Sequence, residues 1–147
     1  MYKRILLTLD GSDLAEQALP HAVAQAQRFQ AELILLKVIE PLGEKFSKRG
    51  AAFNRAEETI HDFASEYLER VAAGLHNQDI QFRVVMLEGR PYEEIIRFAE
   101  SEQVDLIVIC TRGHSGFSRW LMGSVAERVT RGVHIPVLLV RARKEVL

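Results

Sequence analysis

Cysteine is almost absent: Cys110 stands alone, so no disulfide can form within the chain, and a reducing cytoplasmic setting is the expectation. Charge of one sign is not in surplus either. The 19 Lys and Arg against 20 Asp and Glu leave a formal net of -1, with no basic excess for gripping a phosphate backbone, which argues against a dedicated nucleic-acid binder. Long hydrophobic runs are missing too. The apolar stretches are strand-sized, such as Leu33 to Leu36 and Val137 to Val140, far short of the roughly 18 residues of a membrane span, so membrane insertion is excluded. The first ten residues hold only Ile5 to Leu9 between Arg4 and Asp10, which predicts no signal peptide. No Gly-x-x-x-x-Gly-Lys-[Ser/Thr] stretch occurs, and this excludes a Walker-type ATPase.

What is present suits one globular domain over residues 1–147, with 48% hydrophobic residues to build its core. Five runs rich in Val, Ile and Leu read as strands: Ile5 to Leu9, Leu33 to Ile39, Ile80 to Leu87, Leu106 to Cys110 and Val137 to Val140. They are too continuous for a sheet with one wet face, so burial on both faces is expected. Between them lie segments of helical period. Leu14, Ala18, Leu19, Ala22, Val23 and Ala26 predict a helix from Asp13 to Phe29, bent where Pro20 removes a donor. Phe53, Ala56, Ile60, Phe63, Tyr67, Leu68, Val71 and Leu75 predict a second, whose apolar face reads as core and which Gly74 caps. A third runs from Pro91 to Glu100. The fourth follows Gly123, where Ser124-Val125-Ala126-Glu127 reads as a capping box, and stops near Gly132. Pro41 to Gly50 lacks apolar period and reads as a surface loop.

The alternation βαβαβαβαβ predicts an α/β fold, an open, doubly wound, Rossmann-like sheet of five parallel strands with helices on both faces. In the order 3-2-1-4-5 the strand order reverses between strands one and four, and ligands favour that crevice. Thr8 to Ser12 would then face Cys110 to Gly116. A flavodoxin-like order, 2-1-3-4-5, would put strand one beside strand three instead. The stretch Cys110-Thr111-Arg112-Gly113-His114-Ser115-Gly116, followed by Gly123-Ser124 at a helix start, suits an anion: glycines let backbone N–H groups turn inward, and the helix start adds donors and a favourable dipole. The same glycines also suit ordinary turns, and Ser124 an ordinary cap.

These residues resemble the universal stress protein family along nearly the whole chain. Lys3 to Ser12 is similar to the family's first strand and aspartate-containing turn, Leu35-Leu36-Lys37-Val38-Ile39 to its second strand, and Gly123-Ser124-Val125-Ala126-Glu127-Arg128-Val129 with Pro136 to Val140 to its signature helix and final strand. Members that bind ATP carry Gly, two residues, Gly, nine residues, then Gly-Ser or Gly-Thr. The matching positions here are Cys110, Gly113, Gly123 and Ser124, with cysteine in place of the first glycine. The resemblance implies that Asp10 and the backbone near Val38 hold adenine and ribose, that Gly113, Gly123, Ser124 and Val125 hold the phosphates, and that Mg²⁺ bridges them. Thr8, Ile109, Thr111 and Arg112, at the strand ends flanking the crevice, complete the candidate binding set. A side chain at Cys110 is expected to intrude where the backbone approaches the ligand. The resemblance further implies a homodimer through the last strand, and Val137 to Val140, an apolar strand at a sheet edge, agrees.

Catalytic readings fare poorly. Gly113-His114-Ser115-Gly116 lacks the final glycine of a nucleophile elbow, where Phe117 stands. Response regulators need a second acid immediately after strand one, and this chain has only Asp13 beyond Gly11-Ser12. The five histidines show no zinc spacing. The expected function is therefore a stress-response protein that binds ATP, ADP or AMP and acts as a dimeric regulator, a slow ATPase at most. A nucleotide-free dimeric scaffold is the alternative.

Overall fold

A computed structural model describes residues 1–42, 50–111 and 123–143. Along the chain lie β1 (Arg4–Thr8), α1 (Asp13–Glu16), α2 (Leu19–Phe29), β2 (Glu32–Ile39), α3 (Ala51–Ala73), β3 (Gln81–Glu88), α4 (Pro91–Ser101), β4 (Leu106–Thr111), α5 (Ser124–Gly132) and β5 (Val137–Arg141). All strand pairs are parallel, in the order β3-β2-β1-β4-β5, which decides against the flavodoxin-like order.

The continuous apolar runs have the expected cause. Strand side chains alternate between faces, and both faces are covered. Ile5, Leu7, Leu33, Leu35 and Val108 pack with residues of α1, α2 and α3, whereas Leu6, Ile34, Leu36, Ile107 and Ile109 pack with residues of α4 and α5. Arg83 ties edge strand β3 to its surroundings by pairing with Glu32 of β2 at 2.5 Å and Glu102 after α4 at 2.7 Å.

Three local expectations change. Asp13 to Phe29 is two helices, not one bent helix. Pro20 has no N–H to offer the Glu16 carbonyl; α1 closes with short-range bonds from Gln17 N–H to Leu14 O and from Ala18 N–H to Ala15 O, both 3.1 Å, and Pro20 falls in the first turn of α2. The capping box is also replaced. Gly123 is the cap of α5, Ser124 is its first helical residue, and the Glu127 carboxylate pairs with Arg131 at 2.9 Å instead of reaching back.

The third change concerns α3, whose apolar stripe is core only in its second half. Ala64, Tyr67, Leu68 and Val71 are buried, but Phe63 is 69% exposed. A helix of 23 residues is about 35 Å long, against about 26 Å for the 8-residue β2. His61 meets Glu88, the last residue of β3, so the residues before it run beyond the carboxyl edge of the sheet.

Candidate functional site

The reversal of strand order falls between β1 and β4, and their carboxyl ends open onto a cavity of about 620 Å³. That size lies within the usual range for small-molecule sites. The first wall begins where β1 ends. Asp10 Oδ1 accepts from the Ser12 backbone N–H at 2.9 Å and from the Ser12 hydroxyl, and Ser12 Oγ accepts in turn from Ala15 N–H at 3.1 Å to cap α1. The turn needs Gly11, whose φ of +89° is strained for a residue with a Cβ. Against Gly11 lies the Lys37 ammonium: a Cβ placed on Gly11 would stand 3.5 Å from Nζ. Lys37 is half-buried, and burial lowers its affinity for a proton while the Asp10 carboxylate opposes that shift.

Cys110 forms part of the facing wall. Its thiol donates to the Leu14 carbonyl at 3.1 Å and packs with the α1–α3 core. Burial, and secondarily the Asp10 charge, raises its pKa. The thiol is therefore protonated near neutral pH. On the opposite face of the sheet, Gly123, Ser124 and Val125 bring the first turn of α5 to the cavity, where no side chain among the described residues caps its backbone donors.

Of the residues singled out from the sequence, Thr8, Asp10, Val38, Ile109, Gly123, Ser124 and Val125 all line this one cavity. Thr111 does not. It is buried, and its hydroxyl donates to the Val140 carbonyl at 3.4 Å, joining β4 to β5. Arg112, Gly113 and residues 43–49 of the Pro41 to Gly50 loop lie outside the described residues.

Several lining residues were not anticipated: Lys37 and Ile39 from β2, Ile60 and Phe63 from α3, and Pro91 and Ile95 from α4. Lys37 carried a signal, being the single charge within the apolar run Leu33 to Ile39. Ile60 and Phe63 carried none that separates a cavity wall from core. Among the described residues no group of three acids, histidines or cysteines is placed to hold a metal, and no helix is long and apolar enough to cross a membrane.

Comparison with known proteins agrees with this geometry. The universal stress protein family matches residues 1–141. Universal stress protein MJ0531 of Methanocaldococcus jannaschii is 35% identical over 145 residues, covering 99% of this chain and 85% of that protein. The solved structure of hypothetical protein MJ0577 superposes with a TM-score of 0.84 at 34% identity, over 99% of both chains. Two more distant structures share the fold: an Arabidopsis thaliana family member with AMP bound (TM-score 0.73, 13% identity, 97% of this chain and 94% of that) and a universal stress protein in complex with cAMP (TM-score 0.68, 23% identity, 95% and 97%). With the family matched over residues 1–141 and the fold superposing on that of a solved relative along 99% of the chain, the chain belongs to the universal stress protein family.

Proposed function

We propose that this chain is a cytoplasmic stress-response protein that binds an adenine nucleotide, ATP with Mg²⁺ or the related ADP and AMP, in the crevice between β1 and β4. Occupancy would act on a homodimer joined through β5. The observation that carries the reading is the cavity at the reversal of strand order, which has the Asp10 turn on one side and the open first turn of α5 on the other. A helix start with glycine at its cap leaves room for phosphate oxygens to approach the backbone donors. In the assignment that the resemblance implies, Asp10 and the backbone near Val38 take ribose and base, while Gly123, Ser124 and Val125 take phosphates. Arg112, Gly113, Thr8 and Ile109 belong to the same assignment. Mg²⁺ takes phosphate oxygens and water as ligands and would enter with the nucleotide, and the Ser124 hydroxyl offers a hard oxygen donor on that wall. The fold accommodates AMP and cAMP in other proteins. The partly exposed Val137, Leu138 and Leu139 on edge strand β5 support the dimer.

Binding, not hydrolysis, is the primary role. Asp10 is held by Ser12 in its own turn, which suits an anchor for a sugar hydroxyl better than a general base. The direct test is to purify the protein without added nucleotide, denature it and chromatograph the supernatant. Near-stoichiometric ATP, ADP or AMP is expected; an empty extract followed by no response to titration with Mg²⁺-ATP overturns the reading. Gly123→Val is expected to abolish binding and leave the dimer intact, because the valine side chain blocks the approach to the α5 donors. Unchanged ATP affinity in that variant refutes the phosphate assignment.

Cys110 favours a second reading, a nucleotide-free dimeric scaffold, because it replaces the first glycine of the ATP-binding pattern. The thiol bond to Leu14 directs its bulk toward α1, away from the start of α5, and so weighs for the nucleotide reading. Tighter ATP binding by Cys110→Gly would identify the thiol as an obstacle.

A further inference from the structure

The cavity extends over the carboxyl edge of the sheet onto both of its faces. On β2, Leu33 and Leu35 belong to the core under α1, α2 and α3, and Ile34 and Leu36 to the core under α4 and α5. Strand alternation therefore sends Lys37 to the first face and Val38 to the second. Lys37 is the one cation among the described residues that line the cavity. Its strand lies two strand spacings, about 10 Å, from β4, and its ammonium rests on the Gly11 turn instead of facing the first turn of α5. It is placed for the sugar end of a nucleotide and not for the phosphates. Asp10 directly precedes Gly11, so its carboxylate belongs to the same turn on which that ammonium rests, and its charge acts on both Lys37 and Cys110.

An ammonium beside a carboxylate is a matched donor and acceptor. A vicinal diol presents what that pair requires, since one hydroxyl can donate to the carboxylate while the oxygen of the other accepts from the ammonium. A carboxylate alone accepts from either hydroxyl and discriminates weakly. Adding a half-buried ammonium changes this, because loss of one hydroxyl leaves a partly desolvated charge unpaired. Resting on the nucleotide reading above, we propose that Lys37 is a specificity-determining residue of this cavity, which with Asp10 recognises the ribose diol and selects ribonucleotides over 2′-deoxyribonucleotides.

The test is isothermal titration of ATP and 2′-deoxy-ATP into the wild-type dimer and into the Lys37→Met and Lys37→Arg variants, each checked by thermal melting. The wild type is expected to prefer ATP by about tenfold or more, the effect of one hydrogen bond to a charged group. Lys37→Met should reduce that preference to about threefold or less by weakening ATP alone, and Lys37→Arg, which keeps a charged donor, should retain most of it. Equal weakening of both nucleotides in Lys37→Met overturns the inference and makes Lys37 a general electrostatic element. A wild type that binds both nucleotides equally overturns it as well, and leaves the nucleotide reading standing. A wild type that binds neither removes that reading and this inference together.

Discussion

The centre of the sheet and its carboxyl edge are made from the same strands and obey different rules. On β2, Leu33 to Leu35 have no exposed surface and serve packing; Leu36, 1% exposed, already borders the cavity, and one residue later Lys37 brings a charge to it, with Val38 beside it. On α3 the same division recurs, with Leu68 buried over the sheet and Phe63 open beyond it. Packing demands apolar side chains from both faces of a strand, whereas a site needs polar groups that keep access to a ligand. Placing the two along the strand axis, not side by side, lets one element satisfy both.

Substitutions that separate the two regions should rank accordingly. Leu35→Ala at the centre removes a side chain with no exposed surface, and is expected to lower unfolding free energy by about 2–5 kcal/mol in urea titration. Under the proposed function, the nucleotide affinity of the folded fraction should stay unchanged; weaker binding by that folded fraction would show that centre and edge are coupled.

Nearer the boundary, Tyr67 is buried with a hydroxyl that finds no hydrogen-bond partner among the described residues, and its pKa is pushed up, first by burial and then by the charges of Glu16 and Asp10. An orphaned buried hydroxyl is a cost of about 1 kcal/mol or more, so Tyr67→Phe should be neutral or stabilise by up to about 1 kcal/mol. A clear destabilisation in the same urea titration would mean that the hydroxyl is paired in solution.

Phe63→Ala, beyond the edge, is expected to change stability by no more than about 0.5 kcal/mol despite the large side chain removed. Because Phe63 lines the cavity, a change in nucleotide affinity is the more sensitive readout. A stability loss comparable to that of Leu35→Ala would place Phe63 within the packed core.

The sequence disclosed the centre better than the edge, for a physical reason. Burial on both faces writes itself as unbroken apolar runs, so all five strands were found, with no end displaced by more than one residue. Helical period told which face of α3 is apolar but not where the sheet beneath it stops, and the exposed half was read as core. Pro20 marked an interruption; whether the helix bends or divides depended on how the carbonyls before it are satisfied, and bonds back to Leu14 and Ala15 divide it. Ser124 was read as the cap from its Ser-x-x-Glu spacing, and only backbone geometry gives that place to Gly123. Asp10, Val38 and Gly123 to Val125 were singled out through family resemblance, and they converge on one cavity. Lys37 was visible as a charge in an apolar run, yet its partner turn at Gly11 comes from another strand, which no local pattern records.

The seam between β1 and β4 also bears on the order of events during folding. Ile5 pairs with Leu106, so most of the chain separates the two walls of the crevice. Such a contact is expensive in loop entropy and forms only once much of the intervening chain has been ordered. A ligand gripping both walls would recognise only chains that have closed this seam, and its binding would add stability in proportion to RT ln(1 + [L]/Kd). For this protein, occupancy of the crevice would then double as a report that the polypeptide has finished folding.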